Sequence, residues 1–268
     1  MAVSAWHDGF NFQHGACHLN DANQTYIGGG NTVRDGKAGW HDAGDFNKYT
    51  VNTGVTMGSF FMAWEHFGDK IDSVELDYMP STVSGYPDYQ VSGYPDYLKE
   101  MRWQTDWLLK MAYPDDSGRV SHKLSALNFS GFIMPEDETA TRYYSDWGSQ
   151  ATASFTAVLA MAARIFYPYD PDYAQQCLDA ALSSYDFIVN NTATKTPDQS
   201  PFSTGGYLTN DSDDRLWAAA EIWATTGDPD AHTDFVTRAS GYGNKITLHF
   251  DWGNVQNLAM FTYVNATR

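Results

Sequence analysis

A chain of 268 residues with 43% hydrophobic and 15% aromatic side chains can bury one large core or two small ones, which excludes a disordered segment. Its formal charge of −17 excludes partners that need a basic face, nucleic acid and anionic membrane surfaces among them, and leaves a neutral ligand unpenalised. No apolar run approaches the roughly 18 residues of a membrane span, and Met1-Ala2-Val3-Ser4 lacks the basic and apolar regions of an export signal, so a soluble chain is expected with any such signal outside it.

Along the chain, helical periodicity dominates. The first marked stretch, GWHDAGDFNKYT (Gly39–Thr50), sets Asp42 and Asp45 three positions apart with only Ala43 and Gly44 between them. A helical or turn-like path there would bring both carboxylates to one side. Val51–Phe67 follows as a first helix, its bulky apolar residues at helical spacing. VSGYPDYQ (Val83–Gln90) is repeated at once as VSGYPDYL (Val91–Leu98); one copy of eight residues is too short for a solenoid, and the first reads as a loop extension. The second runs into a helix over Tyr97–Met111, with Leu98, Met101, Trp107, Leu108 and Met111 on or near one stripe. Further helices are expected over Ser149–Phe166, Tyr173–Val189, Asp213–Thr225, Asp230–Ala239 and Trp252–Val264. Asp170-Pro171 and Asp228-Pro229 mark two of the starts as capping acids followed by proline, whose missing N–H costs little in a first turn. Long aromatic, Gly- and Pro-bearing links join the helices, and no Pro/Ser-rich linker divides them. An all-α architecture is predicted over 1–268 as one unit.

Two readings of Asp42 and Asp45 stand at this point. Either acid could cap the helix that starts near Val51, the commoner fate of an Asp near a helix start. Both, however, come several residues early in an aromatic, His-bearing setting. Hydrolysis of a neutral polymer needs one carboxylate as general base, and a close neighbour can orient the same water or tune the base. The two cysteines, Cys17 and Cys177, imply no disulfide framework; they could pair, although Cys177 reads most simply as a small buried hydrophobe in a helix. Cys17, His18 and His41 are three donors of the kind zinc takes. Asp211, Asp213 and Asp214 offer the hard oxygens calcium prefers, or else form an acidic helix N-terminus favoured by the dipole. Trp64, Trp103, Trp107 and Trp217, inside helices, read as core, whereas Tyr86, Tyr94, Tyr143, Tyr144 and Trp147, in loops, could stack on pyranose faces.

GWHDAGDFNKY resembles the signature of glycoside hydrolase family 9, the inverting β-1,4-glucanases. The resemblance continues through HGACH (His14–His18), MRWQTDWLLKM, GFIMPEDETATRYY (Gly131–Tyr144), MAARIFYPYDPDYA (Met161–Ala174) and DDRLWAAAEIWATTGD (Asp213–Asp228). It implies an (α/α)6 barrel with loops at one end forming a cleft for a β-1,4-glucan chain. It also implies Asp45 as the base on the attacking water, Asp42 as its helper, and Trp40, His122 and Tyr143 as substrate-binding positions. No organic cofactor is implied. A structural zinc is, on Cys17, His18 and His41 with one Cys further upstream that has no counterpart here; His7 and His14 are conceivable substitutes. A calcium is implied at Asp211, Asp213 and Asp214, with Asp214 where the family usually has Glu. The family's general acid, a Glu near the end of the domain, has no counterpart either: Glu65, Glu75, Glu100, Glu136, Glu138 and Glu221 lie outside its sequence context. The expectation is therefore a partial catalytic domain that carries the base, from a secreted parent chain with room for cellulose-binding or Ig-like modules. Two other classes compete, a non-catalytic carbohydrate-binding module and a different α/α-toroid enzyme such as a polysaccharide lyase; the charge of −17 disfavours the uronate substrates of the latter.

Overall fold

Helices on helices make the frame. The computed structural model describes residues 3–7, 10–21, 24–27, 33–73 and 93–267, with only the backbone described for 3–14 and 24–26. The helices in them are α1 (Thr50–Ile71), α2 (Asp96–Leu109), α3 (Ser149–Phe166), α4 (Pro171–Asn190), α5 (Ser212–Thr226), α6 (Pro229–Gly241) and α7 (Gln256–Asn265). α1 packs on α3, α3 on α5 and α5 on α7, while α2, α4 and α6 each pack behind the odd-numbered helix that precedes them. This is the two-layer arc of an α/α toroid. Burial follows the layers: every residue of α3 except Arg164 is buried, as expected of a helix that is apolar or small all round. α4 and α6 bury one stripe each.

Small residues set the inter-helix distance. A Cβ on Gly58 of α1 would come 2.7 Å from both the Trp217 ring of α5 and Leu258 Cδ1 of α7. One on Gly54 would come 2.9 Å from Ser154 Cβ of α3. Trp107 and Trp217 are fully buried and Trp103 nearly so, as expected, and Trp64 packs against the core edge.

The expected helix positions hold to within a few residues, and the differences have local causes. α1 runs on past Phe67, but Phe67 itself has non-helical dihedrals, so the expected end coincides with a kink. Asp170 caps α4 by accepting from Tyr173 N at 3.0 Å, and Asp228 caps α6 by accepting from Asp230 N at 2.8 Å. α7 begins at Gln256 rather than Trp252 because Asp251 and Asn254 close a turn on each other and Gly253 N donates to Asp251 Oδ1. The octapeptide repeat lies outside the described residues up to its last six positions, Gly93–Leu98, which lead into α2 as expected. No disulfide joins the two cysteines, and Cys177 is buried in α4.

Short strands accompany the helices and leave the expected all-α frame in place. β1 (Val3–His7) and β2 (Phe10–His14) form an antiparallel hairpin. β3 (Gln24–Tyr26), β4 (Val33–Arg34), β5 (Lys48–Tyr49), β6 (Lys123–Ala126) and β7 (Arg142–Tyr144) form a sheet of order β4-β3-β7-β6-β5, parallel only between β3 and β7. Strands of two to four residues are too short to show an alternating pattern, which is why the sequence conceals them.

The sheet is fastened by a buried ion cluster. Arg142 of β7 donates to both carboxylate oxygens of Asp21 at 2.6 Å, and Lys48 of β5 reaches Asp21 Oδ2 at 3.0 Å, Gly36 O at 3.0 Å and Ala38 O at 2.6 Å. Arg142 also donates to Phe46 O. All three side chains are almost fully buried. Asp21→Asn leaves two cations without their counter-charge and is expected to cost about 3–5 kcal/mol, read as a lower urea midpoint at unchanged slope. Gly58→Ala is expected to cost about 1–3 kcal/mol by overpacking, measured the same way.

Candidate active site

The aspartates do not cap α1. Its N-cap is Tyr49, with no side-chain cap, and Asp42 and Asp45 lie instead in a turn closed by Asp42 N donating to Asn47 O at 2.9 Å. Phe46 takes a left-handed backbone (φ 53°), with its carbonyl held by Arg142, so the ion cluster grips the turn from beneath. Ala43 and Gly44, the spacers, are exposed.

Each carboxylate is held by its own donors. Asp42 accepts from Asn52 Nδ2, in the first turn of α1, and from Tyr207 OH at 2.6 Å. Asp45 Oδ2 accepts from Tyr49 OH at 2.7 Å and Asn47 Nδ2 at 3.2 Å, while its Oδ1 receives only the Asn47 N–H at 3.3 Å. Burial and then the bond to Asp45 push the Tyr49 hydroxyl far above its ordinary value. Burial and the bond to Asp42 push Tyr207 up to about 12. Both phenols therefore stay protonated and donate. Asp42 has a strong donor on each oxygen, whereas Asp45 keeps one oxygen lightly engaged. Asp45 is thus the better placed of the two to accept a proton from water.

Sequence reasoning missed the holders Tyr49, Asn52 and Tyr207. Tyr49 closes the signature stretch and Asn52 follows it closely, but only the fold brings in Tyr207, 165 positions from Asp42. Segment Ser203–Gly206, which precedes the acidic set in sequence, lies against the tyrosines: Gly205 N donates to Tyr49 OH at 3.1 Å.

The sugar-binding expectations divide. His122 is fully buried and its Nε2–H donates to Gly206 O at 2.7 Å, so it supports a loop and does not face a groove. Trp40 is turned to α2, with its indole N–H donating to Glu100 Oε1 at 2.6 Å, because that half-buried carboxylate needs a donor. Tyr94 and Tyr144 are likewise buried, and Tyr86 lies outside the described residues. Tyr143 is half-exposed and lines a 460 Å³ depression with Asn128, Phe129, Ile133, Asp137 and Glu138. Its floor meets the aspartate turn, since Ala126 N donates to Asn47 Oδ1 at 2.8 Å. Of the other glutamates, Glu65 and Glu221 pair with Arg164, and Glu75 lies outside the described residues.

The metal sets fit in part. The His18 and His41 rings meet edge to face at 4.4 Å, and both His18 nitrogens are buried without a hydrogen-bond partner. Burial, followed by the charge of Arg142, lowers His18 to about 4 and His41 to about 2, so both are neutral donors at pH 7. Cys17 adjoins His18 in sequence, yet among the described residues no group of three His, Cys, Asp or Glu is placed to hold a metal ion. His7 and His14 have no described side chains. In the acidic set, Asp211 accepts from Arg215 Nε at 2.7 Å and Thr194 Oγ1 at 2.7 Å. Asp214 keeps one buried oxygen with no partner, and burial followed by the neighbouring Asp213 charge raises it well above the usual carboxylate range. Asp213 is raised too, chiefly by burial. A cation there would relieve both.

Comparison with known proteins accords with this geometry. The profile of Glycosyl hydrolase family 9 matches residues 4–267. Endoglucanase D of Acetivibrio thermocellus is 52% identical over the whole chain, which covers 41% of that protein. A xyloglucan-specific endo-beta-1,4-glucanase of Bacteroides ovatus is 30% identical over 88% of the chain, which covers 40% of it. Among solved structures, the family 9 endoglucanase J30 superposes with a TM-score of 0.83 at 32% identity, over 96% of this chain and 48% of that one. A zinc-binding triple mutant of J30 gives 0.84 over the same shares. The chain thus spans about two-fifths of the curated relatives' length. With the signature turn, the helical arc and the profile in agreement, the chain belongs to glycosyl hydrolase family 9 and forms part of its (α/α)6 catalytic fold.

Proposed function

We propose that the whole protein hydrolyses β-1,4-glucosidic bonds of cellulose or a related β-glucan with inversion. Asp45 draws a proton from the attacking water and Asp42 orients that water. The observation that carries the reading is the unequal holding of the two carboxylates, one saturated by Asn52 and Tyr207, the other with an oxygen to spare. Inversion requires a general acid on the far side of the bond, with carboxyls about 6.5–9.5 Å apart. Glu65 and Glu221 pair with Arg164 and Glu100 with Trp40, and the aspartate pair supplies the base half of the reaction. Tyr143 and the depression it lines favour contact with a neutral glucan.

Zinc on Cys17, His18 and His41, and calcium at Asp213 and Asp214, belong to this reading as structural ions; each would clamp a loop and take no part in the chemistry. Further modules in a longer parent chain accord with the length of the relatives, and a secreted parent chain belongs to the same reading.

Asp45→Asn in the whole protein is expected to lower kcat on barley β-glucan by about 10²–10⁴-fold while glucan binding persists. Proton NMR of the wild-type reaction should give the α-anomer first. Wild-type turnover in the variant, or a β-anomer, would overturn the reading. For zinc, elemental analysis of the purified protein should return close to one equivalent, lost in His41→Ala together with a lower thermal midpoint; metal-free wild-type protein with an unchanged midpoint would refute it.

A further inference from the structure

Lys123 of β6 is fully buried, lies directly across the sheet from Tyr49, and has no place in the chemistry described so far. Its ammonium is spent on the backbone and side chain of one short segment. Nζ donates to Gly205 O at 2.8 Å and to Thr204 Oγ1 at 3.1 Å. Thr204 Oγ1 is also bonded to Ser125 Oγ at 2.6 Å, and the residue before the lysine, His122, donates to Gly206 O. Three consecutive residues, Thr204 to Gly206, are therefore each fastened to β6 or the residue leading into it.

That segment delivers both phenols. Gly205 N donates to Tyr49 OH, which donates to Asp45, and Tyr207, next but one along the chain, donates to Asp42. The two rings meet edge to face at 4.7 Å. A Cβ on Gly205 would come 2.8 Å from the Tyr207 ring and 3.1 Å from Tyr49 OH, so the segment has no slack against either. Tyr207 holds a left-handed backbone (φ 45°), a conformation a non-glycine residue keeps only where its surroundings fix it.

We propose that Lys123 is a positioning residue for the Asp42–Asp45 pair, acting through the segment Thr204–Tyr207. The proposal rests on the catalytic reading of that pair. The charged or titratable groups facing Lys123 are Tyr49, whose ring centroid lies 5.7 Å from Nζ, and Asp45 from the signature turn, with His122 beside it in sequence; the Phe202 ring, at 4.3 Å, is uncharged. Burial lowers Lys123 to about 8 against the opposing pull of Asp45. The lysine is therefore charged below that pH and loses its charge, and much of its hold on Gly205 O, as the pH rises through it.

The test is kinetic, on the whole protein, with a soluble cello-oligosaccharide, for Lys123→Met, Thr204→Val, Tyr207→Phe and the Lys123→Met/Tyr207→Phe pair. Lys123→Met is expected to lower kcat by about 100-fold with KM changed less than about threefold, as displacement of a catalytic group by an ångström does. The double variant should be no worse than about twofold below the poorer single one, because both act through one segment. Lys123→Met on an Asp45→Asn background should still bind the oligosaccharide. If Lys123→Met does not fold, Thr204→Val, which removes a lysine acceptor, decides with its own drop in kcat at constant KM. The proposal is overturned if kcat of the folded variants stays within about twofold of wild type, or if the loss is in KM alone. A wild type that leaves β-glucan intact, or an Asp45→Asn variant with full turnover, would sink the catalytic reading first; active wild type with indifferent Lys123 and Thr204 variants sinks only this inference.

Discussion

The Asp21–Arg142–Lys48 cluster is the constraint on which the site depends. Removing three charges from water is expensive, and such clusters are poor sources of net stability. Their value lies in direction: the donors of Arg142 and Lys48 reach Gly36 O, Ala38 O and Phe46 O, which bracket the signature turn on both sides. The turn holds a left-handed Phe46 because that carbonyl has one place to go. The cluster also carries an excess positive charge. Its field, added to burial, keeps His18 and His41 neutral in the same neighbourhood, the form in which imidazole binds a metal.

Above that base, the site separates two chemically identical groups by what surrounds them. Two aspartates three residues apart would be interchangeable in an unfolded chain. In the fold, one faces Asn52 and Tyr207 and the other Tyr49 and Asn47, and the supporting residues come from the start of α1 and from a segment more than 150 positions away. A toroid suits this arrangement because its helices leave one end of the layer to loops, and loops from remote parts of the chain meet there.

What could be read from the residues was whatever is local. Helix periodicity in α3 and α5, the Asp-Pro caps of α4 and α6, and the Asp42–Asp45 spacing each lie within one stretch, and each was legible. The short sheet was not, because β5 has two residues and β6 four, and their pairing is decided by partners about 75 positions apart. His122 shows the same limit from the other direction: a histidine in a loop looks available to a sugar, and only the packing of Gly206 against it reveals that it is buried. Asp211 stands in an acidic cluster, and the fold adds its pairing with the i,i+4 arginine, Arg215. Resemblance carried the family correctly, whereas roles transferred residue by residue still depended on neighbours no motif contains.

The junction of β5 and α1 has a consequence for how this chain can vary. Lys48, Tyr49 and Thr50 are consecutive, and each answers to a different structure: the ion cluster, the Asp45 phenol, and the backbone of Ser121 and His122. Deleting one residue here would take all three from their partners together, the two strand residues by exchanging faces and Thr50 by turning with the helix. Point substitutions can be absorbed one partner at a time, but a change of length cannot.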